Sequence, residues 1–247
     1  MIDESETGMA GTFKRVEKKY LLAGRQMEEL FALLGERAVP DEYGLHTICN
    51  IYFDTEQNEL VRRSIEKPSY KEKLRLRSYG IPTQESMVFL ELKKKWHGTV
   101  YKRRIELPLK AAKEYLEQGI YPEAYDCQIL KEIDYTLHFY PLHPGIFLAY
   151  DRQAYYLAEH PEVRFTVDQR IRSRENNLDL SLGDHGTLLF DEDIRVLELK
   201  APFALPRWMA AMLSEMQIYP HSFSKYGSIY KEKKSHYHMF FDGAEED

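Results

Sequence analysis

Between residues 70 and 106 the chain alternates charged and apolar positions with a period of two, and it does so three times. Tyr-Lys-Glu-Lys-Leu-Arg-Leu-Arg-Ser-Tyr-Gly opens the stretch. After a spacer comes Met-Val-Phe-Leu-Glu-Leu-Lys-Lys-Lys, and Val-Tyr-Lys-Arg-Arg-Ile-Glu-Leu closes it. Side chains point alternately to the two faces of a strand, so three strands are predicted. The first sends Lys71, Lys73, Arg75 and Arg77 to one face and Leu74 and Leu76 to the other. The second sets Phe89, Glu91, Lys93 and Lys95 against Val88, Leu90 and Leu92. The third sets Lys102, Arg104 and Glu106 against Tyr101, Arg103 and Ile105, with His97-Gly98 supplying the turn before it.

The same logic extends along the chain. Thr12 to Leu22 reads as a strand with Arg15, Glu17 and Lys19 on one face. Met27, Leu30, Phe31, Leu33 and Leu34 at helical spacing predict a helix over 25–34, ended at Gly35. Thr47 to Asp54 alternates again, placing Asn50, Tyr52 and Asp54 opposite Cys49, Ile51 and Phe53. Thr55 then caps a short helix containing Leu60 and Val61, and Pro68 ends it. Two further helices are predicted, Ala111 to Gln118 (introduced by Pro108 and closed by Gly119) and Asp126 to Phe139.

Strands resume with Phe147 to Tyr156, where Tyr150, Arg152 and Ala154 share a face, and Glu162 to Arg172, where Arg164, Thr166, Asp168, Arg170 and Arg172 do. Residues 175–187 read as a polar loop. Arg195 to Lys200 predicts a last strand with Val196, Glu198 and Lys200 opposite Leu197 and Leu199, followed by a helix over 205–216.

Eight or nine strands interrupted by helices, with no internal repeat or low-complexity linker, place the chain in the α+β class. The expected architecture is a closed or nearly closed antiparallel β-barrel with helices packed outside, whose interior is a lined cavity. The expected organisation is a leader over 1–11, a single domain over 12–235 and an acidic tail over 236–247.

Charge sharpens this reading. The chain has 247 residues and a formal net charge of -6, yet its middle is strongly basic. A half-buried strand ordinarily sends its charged face into water. Successive strands offering mostly cations would repel one another on a shared face unless a dense anion sat among them. A nucleic-acid binder is usually basic overall, so this placement favours a confined anionic ligand and no nucleic acid. The two cysteines, Cys49 and Cys127, lack metal-type spacing and read as buried hydrophobes in a reduced compartment. No apolar run reaches the length of a membrane span and no signal peptide opens the chain, so a cytoplasmic protein without a transmembrane segment is expected.

No Gly-x-x-x-x-Gly-Lys-Ser/Thr loop is present, which leaves side chains to hold phosphates, a task suited to arginine forks and lysine point charges. Glu17, Glu91, Glu106 and Glu198 fall on the charged faces as salt-bridge partners or ligands for a divalent metal. Glu198 is the preferred ligand.

Taken in order, several segments resemble the VTC (polyphosphate polymerase) domain family, a branch of the CYTH-like triphosphate tunnel metalloenzymes. They are Val-Glu-Lys-Lys-Tyr (16–20), Ile-Tyr-Phe-Asp-Thr (51–55), the basic strand with its preceding Lys-Pro (67–80), Leu-Glu-Leu-Lys-Lys-Lys (90–95), Tyr-Lys-Arg-Arg (101–104), Tyr-Asp-Arg-x-Ala-Tyr (150–155), Val-Arg-Phe-Thr-Val-Asp (163–168), Leu-Glu-Leu-Lys (197–200) and Phe-Ser-Lys-Tyr (223–226). The resemblance implies transfer of the γ-phosphoryl group of ATP to inorganic polyphosphate in a basic tunnel, with Mn2+ or Mg2+. It further implies Arg75, Arg77, Lys93, Arg152 and Arg164 as catalytic residues, Lys19, Lys102, Lys200 and Lys225 as substrate contacts, and Glu198 as the metal ligand. The same tunnel would serve a triphosphatase or a non-catalytic polyphosphate or inositol-phosphate binding module. Two positions depart from the family patterns: Arg15 replaces the first Glu of Glu-x-Glu-x-Lys, and Ser222 stands where a Lys precedes Phe-Ser-Lys.

Overall fold

The computed structural model of the chain describes residues 16–232. The expected leader, the start of the first predicted strand with Arg15, and the acidic tail lie outside the described residues. In chain order the elements are β1 (Val16–Ala23), α1 (Gly24–Leu34), β2 (Ala38–Pro40), β3 (His46–Asp54), α2 (Glu59–Glu66), β4 (Tyr70–Tyr79), β5 (Met87–Trp96), β6 (Thr99–Pro108), α3 (Leu109–Gln118), α4 (Gln128–Phe139), β7 (His143–Leu157), β8 (His160–Arg174), β9 (Thr187–Leu188), β10 (Ile194–Ala201) and α5 (Arg207–Glu215). A last helix, α6, covers 225–232.

Among the described residues ten strands form one mostly antiparallel sheet in the order β1-β10-β8-β7-β3-β4-β5-β6, with β2 beside β7 and β9 beside β8. Of the expected closed or nearly closed barrel, hydrogen-bonded closure is not met: among the described residues β1 and β6 end the path without pairing to each other. Residues Thr99 to Arg103 of β6 are exposed, and cations along such an edge oppose pairing with a further strand.

Chain contacts divide the protein into two compact units. The first contains the described residues up to Gly44, Ala154–Val167 and Arg195–Ser222. Its core joins Tyr20 and Leu22 of β1, the Met27, Leu30 and Leu34 stripe of α1, Val163 and Phe165 of β8, Leu197 and Leu199 of β10, and Met209 and Leu213 of α5. The period of 3.6 in α1 and of two in β10 therefore feed one apolar cluster, and Glu198 and Lys200 are left on the opposite face of β10.

The second unit contains Leu45–Gln153, Asp168–Ile194 and the described residues from Phe223. Cys49, Ile51 and Phe53, Leu74 and Leu76, Val88, Leu90 and Leu92, and Ile105 and Leu107 are buried in one layer beneath Leu109, Ala112 and Tyr115 of α3 and Leu130 and Ile133 of α4. The other face of β3 to β6 carries the polar and charged side chains. His97 and Gly98 both have positive φ (45° and 86°), the combination that a two-residue hairpin between Trp96 and Thr99 requires.

Two local expectations, the face of Arg172 and the burial of Cys127, need correction. Arg172 does not share a face with Asp168, because Arg170 adopts a left-handed φ of 48° and interrupts the alternation of β8. Asp168 pairs with Arg152 and Arg172 with Asp151, and adjacent residues 151 and 152 point to opposite faces. The loop over 175–187 is tied down: the Arg174 guanidinium donates to the carbonyls of Asn177, Asp179, Gly183 and His185 and lies 3.5 Å over the Phe147 ring. Cys49 is buried as expected, but Cys127, at the start of α4, is exposed.

Asp54 anchors α2 more heavily than Thr55. Thr55 Oγ1 accepts from the Glu59 amide (3.0 Å), whereas the fully buried Asp54 carboxylate accepts from the Leu60 and Val61 amides (2.8 and 2.9 Å) and from the Tyr226 hydroxyl of α6 (3.0 Å). Asp54→Ala should lower unfolding free energy by about 2 kcal/mol or more, because buried donors lose a charged acceptor. Chemical denaturation beside the native protein measures it, and a loss within experimental scatter would remove Asp54 from this role.

Candidate anion-binding site

The antiparallel register sets the charged face of the second unit into rows. Tyr52 of β3 stands opposite Arg75, Arg75 opposite Glu91, and Glu91 opposite Arg104. One step along, Asn50 faces Arg77 and Arg77 faces Phe89. One step the other way, Lys73 faces Lys93, which faces Lys102.

Glu91 is 2% exposed and is the hub of this face. Arg75 reaches it with Nε and Nη2, both at 2.7 Å, Lys102 at 3.0 Å, Arg104 at 3.5 Å and Arg77 at 3.8 Å. Burial pushes the Glu91 carboxyl up, but Arg75, Arg77 and Lys102 outweigh burial and bring it down to about 2. Four cations face this one carboxylate, so the cluster keeps a positive excess.

Side-chain oxygens fix the arginines. Arg77 donates to Asn50 Oδ1 (2.9 Å) and the Tyr150 hydroxyl (3.3 Å), and Arg75 Nη1 to the Tyr52 hydroxyl (3.0 Å). Each guanidinium carries five N–H groups, so neither fork is exhausted. The positive excess registers at Tyr52: burial alone would raise its hydroxyl, yet Arg75, Lys73 and Arg77 bring it down to about 7.

A second network shares Tyr150. Asp168, fully buried, accepts two bonds from Arg152 (2.6 and 2.8 Å) and one from Lys225 (2.5 Å). Burial opposes its ionisation, but Lys225 and Arg152 prevail and hold its carboxyl below the usual range. The Arg152 guanidinium and Lys225 ammonium stand 5.1 and 4.4 Å from the centre of the Tyr150 ring.

Lys73 reaches Ser224 (3.0 Å). The structure thus gathers Arg75, Arg77 and Lys102 around Glu91, joins Arg152 and Lys225 to them through Tyr150, and sets the exposed Lys93 in the row between Lys73 and Lys102.

In the first unit Glu198 is 7% exposed, with Lys200 at 2.6 Å and Lys19 at 3.5 Å, while Glu17 lies 3.3 Å from Lys19. Burial lowers the Lys19 ammonium, but Glu198 and Glu17 overcome it, and the group is raised overall. Arg164 is exposed and enters no ion pair among the described residues. No three His, Cys, Asp or Glu side chains among the described residues are arranged to hold a metal ion. Glu198 therefore fits a divalent ion only as one hard oxygen ligand, with phosphate oxygens completing the shell.

The sequence profile of the VTC domain family matches residues 14–232. The chain belongs to the VTC domain family. No curated protein matches it. Among solved structures, the VTC chain is similar to a candidate adenylate cyclase from Bacillus halodurans (16% identity, TM-score 0.53, covering 85% of this chain and 93% of that one). It is also similar to a candidate adenylyl cyclase from Hippeastrum described as having a dominant triphosphatase activity (15% identity, TM-score 0.54, covering 88% and 96%). At these identities the likeness concerns the fold alone. Among the described residues no helix is long and apolar enough to cross a membrane.

Several residues of the site were not singled out from the sequence. Asn50, Tyr52 and Asp168 already lay on charged faces by alternation, and that is the signal that finds them. Tyr150 and Ser224 gain meaning only from partners far along the chain.

Tyr52 yields a direct check. Its hydroxyl titrates near 7 in the folded chain and near the ordinary tyrosine value of about 10 when unfolded. Ionised Tyr52 should therefore add stability as pH rises from about 7, in full above about 10 and not at all below about 7. Ultraviolet difference titration should show one tyrosinate forming near pH 7, absent in Tyr52→Phe and moved upward by added tripolyphosphate. A first tyrosinate appearing only near pH 10 would refute the positive excess.

Proposed function

We propose that this chain is a polyphosphate polymerase, transferring the γ-phosphoryl group of ATP to the end of an inorganic polyphosphate chain. The observation that supports this reading is the positive excess around Glu91, where cations already held by side-chain oxygens and one carboxylate keep N–H groups for an anion. A triphosphate offers closely spaced oxygens and several charges, the form of anion that such a face neutralises best.

In the proposed reaction a terminal oxygen of polyphosphate attacks the γ-phosphorus in line. A new P–O–P bond forms, the bond to the β-phosphate oxygen breaks, and ADP leaves. No enzymic nucleophile is needed, and the protein acts by alignment and by neutralising charge on the transferring group. Arg75 and Arg77 are assigned to that group. Lys93, Arg152 and Arg164 act with them, and Lys19, Lys102, Lys200 and Lys225 bind the flanking phosphates. Glu198 would hold Mn2+ or Mg2+, which supplies further charge neutralisation when bound.

Incubation with ATP and manganese, followed by a polyphosphate-stained gel, tests the proposal. Polyphosphate with ADP supports it. Phosphate without chains means a triphosphatase, and intact ATP a binding module.

Arg75→Ala should lower kcat/KM about 30-fold or more, corresponding to about 2 kcal/mol of transition-state binding from a charge-assisted bond. Removing a cation relieves repulsion in the empty site, but Glu91 loses its nearest partner in the variant, so melting temperature should fall as well. Arg75→Lys should recover melting temperature better than turnover, since it keeps the charge without the fork. Near-native turnover in both variants would exclude Arg75 from the site.

Glu198→Gln separates a ligand from a salt-bridge partner. Turnover should fall at every manganese concentration while nucleotide affinity holds or rises, because Lys19 and Lys200 lose a competing carboxylate. Manganese dependence identical to the native protein, with a lowered melting temperature, would leave Glu198 with a structural role alone.

A further inference from the structure

The charged face of β4 and β5 does not end at the Glu91 cluster. Beyond the row of Lys73, Lys93 and Lys102, Lys71 stands directly opposite Lys95, and Lys67 occupies the left-handed position that ends α2 (φ 56°). Like charges placed directly opposite each other on a sheet are destabilising. Lys94, between Lys93 and Lys95 but on the other face, shows the ordinary arrangement: it stands opposite Glu72 and lies 3.5 Å from it. The two faces of one hairpin thus treat lysine differently.

Lys71 donates to the Ser64 carbonyl (2.9 Å), which holds the ammonium in place. Burial and the ammonium groups of Lys95, Lys67 and Lys93 push it below its ordinary value. Among the described residues Lys67, Lys71 and Lys95 enter no ion pair. From Arg77 to Lys71 the face runs six residues, about 20 Å of strand, more than one triphosphate covers.

Resting on the reading of the Glu91 cluster as a phosphate site, we infer that Lys67, Lys71 and Lys95 continue that site as a track for a long linear polyphosphate, holding the part of the chain beyond the phosphates at Arg75 and Arg77. The ligand is a polyanion without bases. Tyr70 and Trp96, opposite each other in the register, and Tyr101 lie on the face of Lys94, so the lysine face offers charge without the aromatic platforms that single-stranded nucleic acid uses.

The test compares tripolyphosphate with long-chain polyphosphate in titration calorimetry of the full chain, native and Lys67→Glu/Lys95→Glu. Both residues are exposed. Affinity for long polyphosphate should fall about tenfold, with a shallower dependence on salt, while tripolyphosphate binding stays within twofold. If the charge-reversed protein melts early, Lys67→Gln/Lys95→Gln replaces it, with an expected loss of about threefold.

Equal losses for both ligands, or none for either, overturn the track and leave the proposed site standing. Single-stranded DNA of equal charge that displaces polyphosphate as well as polyphosphate itself overturns the assignment of the ligand. Native protein that binds no tripolyphosphate refutes the site, and the track falls with it.

Discussion

The contact on which the charged face depends is that between the Glu91 carboxylate and the cations around it. Without a buried acceptor, the forks of Arg75 and Arg77 on β4 and the charges of Lys102 and Arg104 on β6 would face one another across a single strand. Glu91 sits on that strand, 2% exposed, and draws Arg75 in at 2.7 Å. A buried charge is tolerated only when paired, so the carboxylate and the cations are mutually required. The shortfall of negative charge that remains is what an anion can meet.

The apolar layer beneath makes this arrangement possible. Leu74, Leu76, Val88, Leu90, Leu92, Ile105 and Leu107 are nearly or wholly buried against α3 and α4, which fixes register, because a slip of one residue would turn every leucine outward. Held in register, Tyr52, Arg75, Glu91 and Arg104 have to line up across four strands. Side-chain oxygens then set orientation: Asn50 and Tyr150 accept from Arg77, and Tyr52 accepts from Arg75. In the first unit Glu198 instead stands between two lysines, an arrangement that serves equally well as an ion pair or as a single ligand oxygen.

Local periodicity made much of this legible from the chain alone. Alternation over 70–106 put Arg75 and Glu91 on the same side and the leucines on the other, and His97-Gly98 announced its turn, because both properties are decided within a few residues. The left-handed backbone of Arg170 left no such trace; an arginine in an alternating run looks the same whether or not the strand kinks. Neither closure of the sheet nor the choice of Glu91 over Glu198 as the hub could be read locally, since each rests on which strands become neighbours. Cys127 was misplaced for a related reason: a cysteine at the start of a helix is buried only if some other element covers that end.

Asp54 and Tyr226, joined through hydroxyl and carboxylate across 172 residues of sequence, tie completion of the charged face to the direction of synthesis. Lys225, beside Tyr226, supplies the second cation of Asp168, and it follows every described strand of the sheet out of the ribosome. Until it arrives, Asp168 has Arg152 but lacks its lysine, and α2 is anchored by a carboxylate whose outermost acceptor is unfilled. A nascent chain that has already formed β3 to β8 therefore still lacks one cation of the Asp168 network.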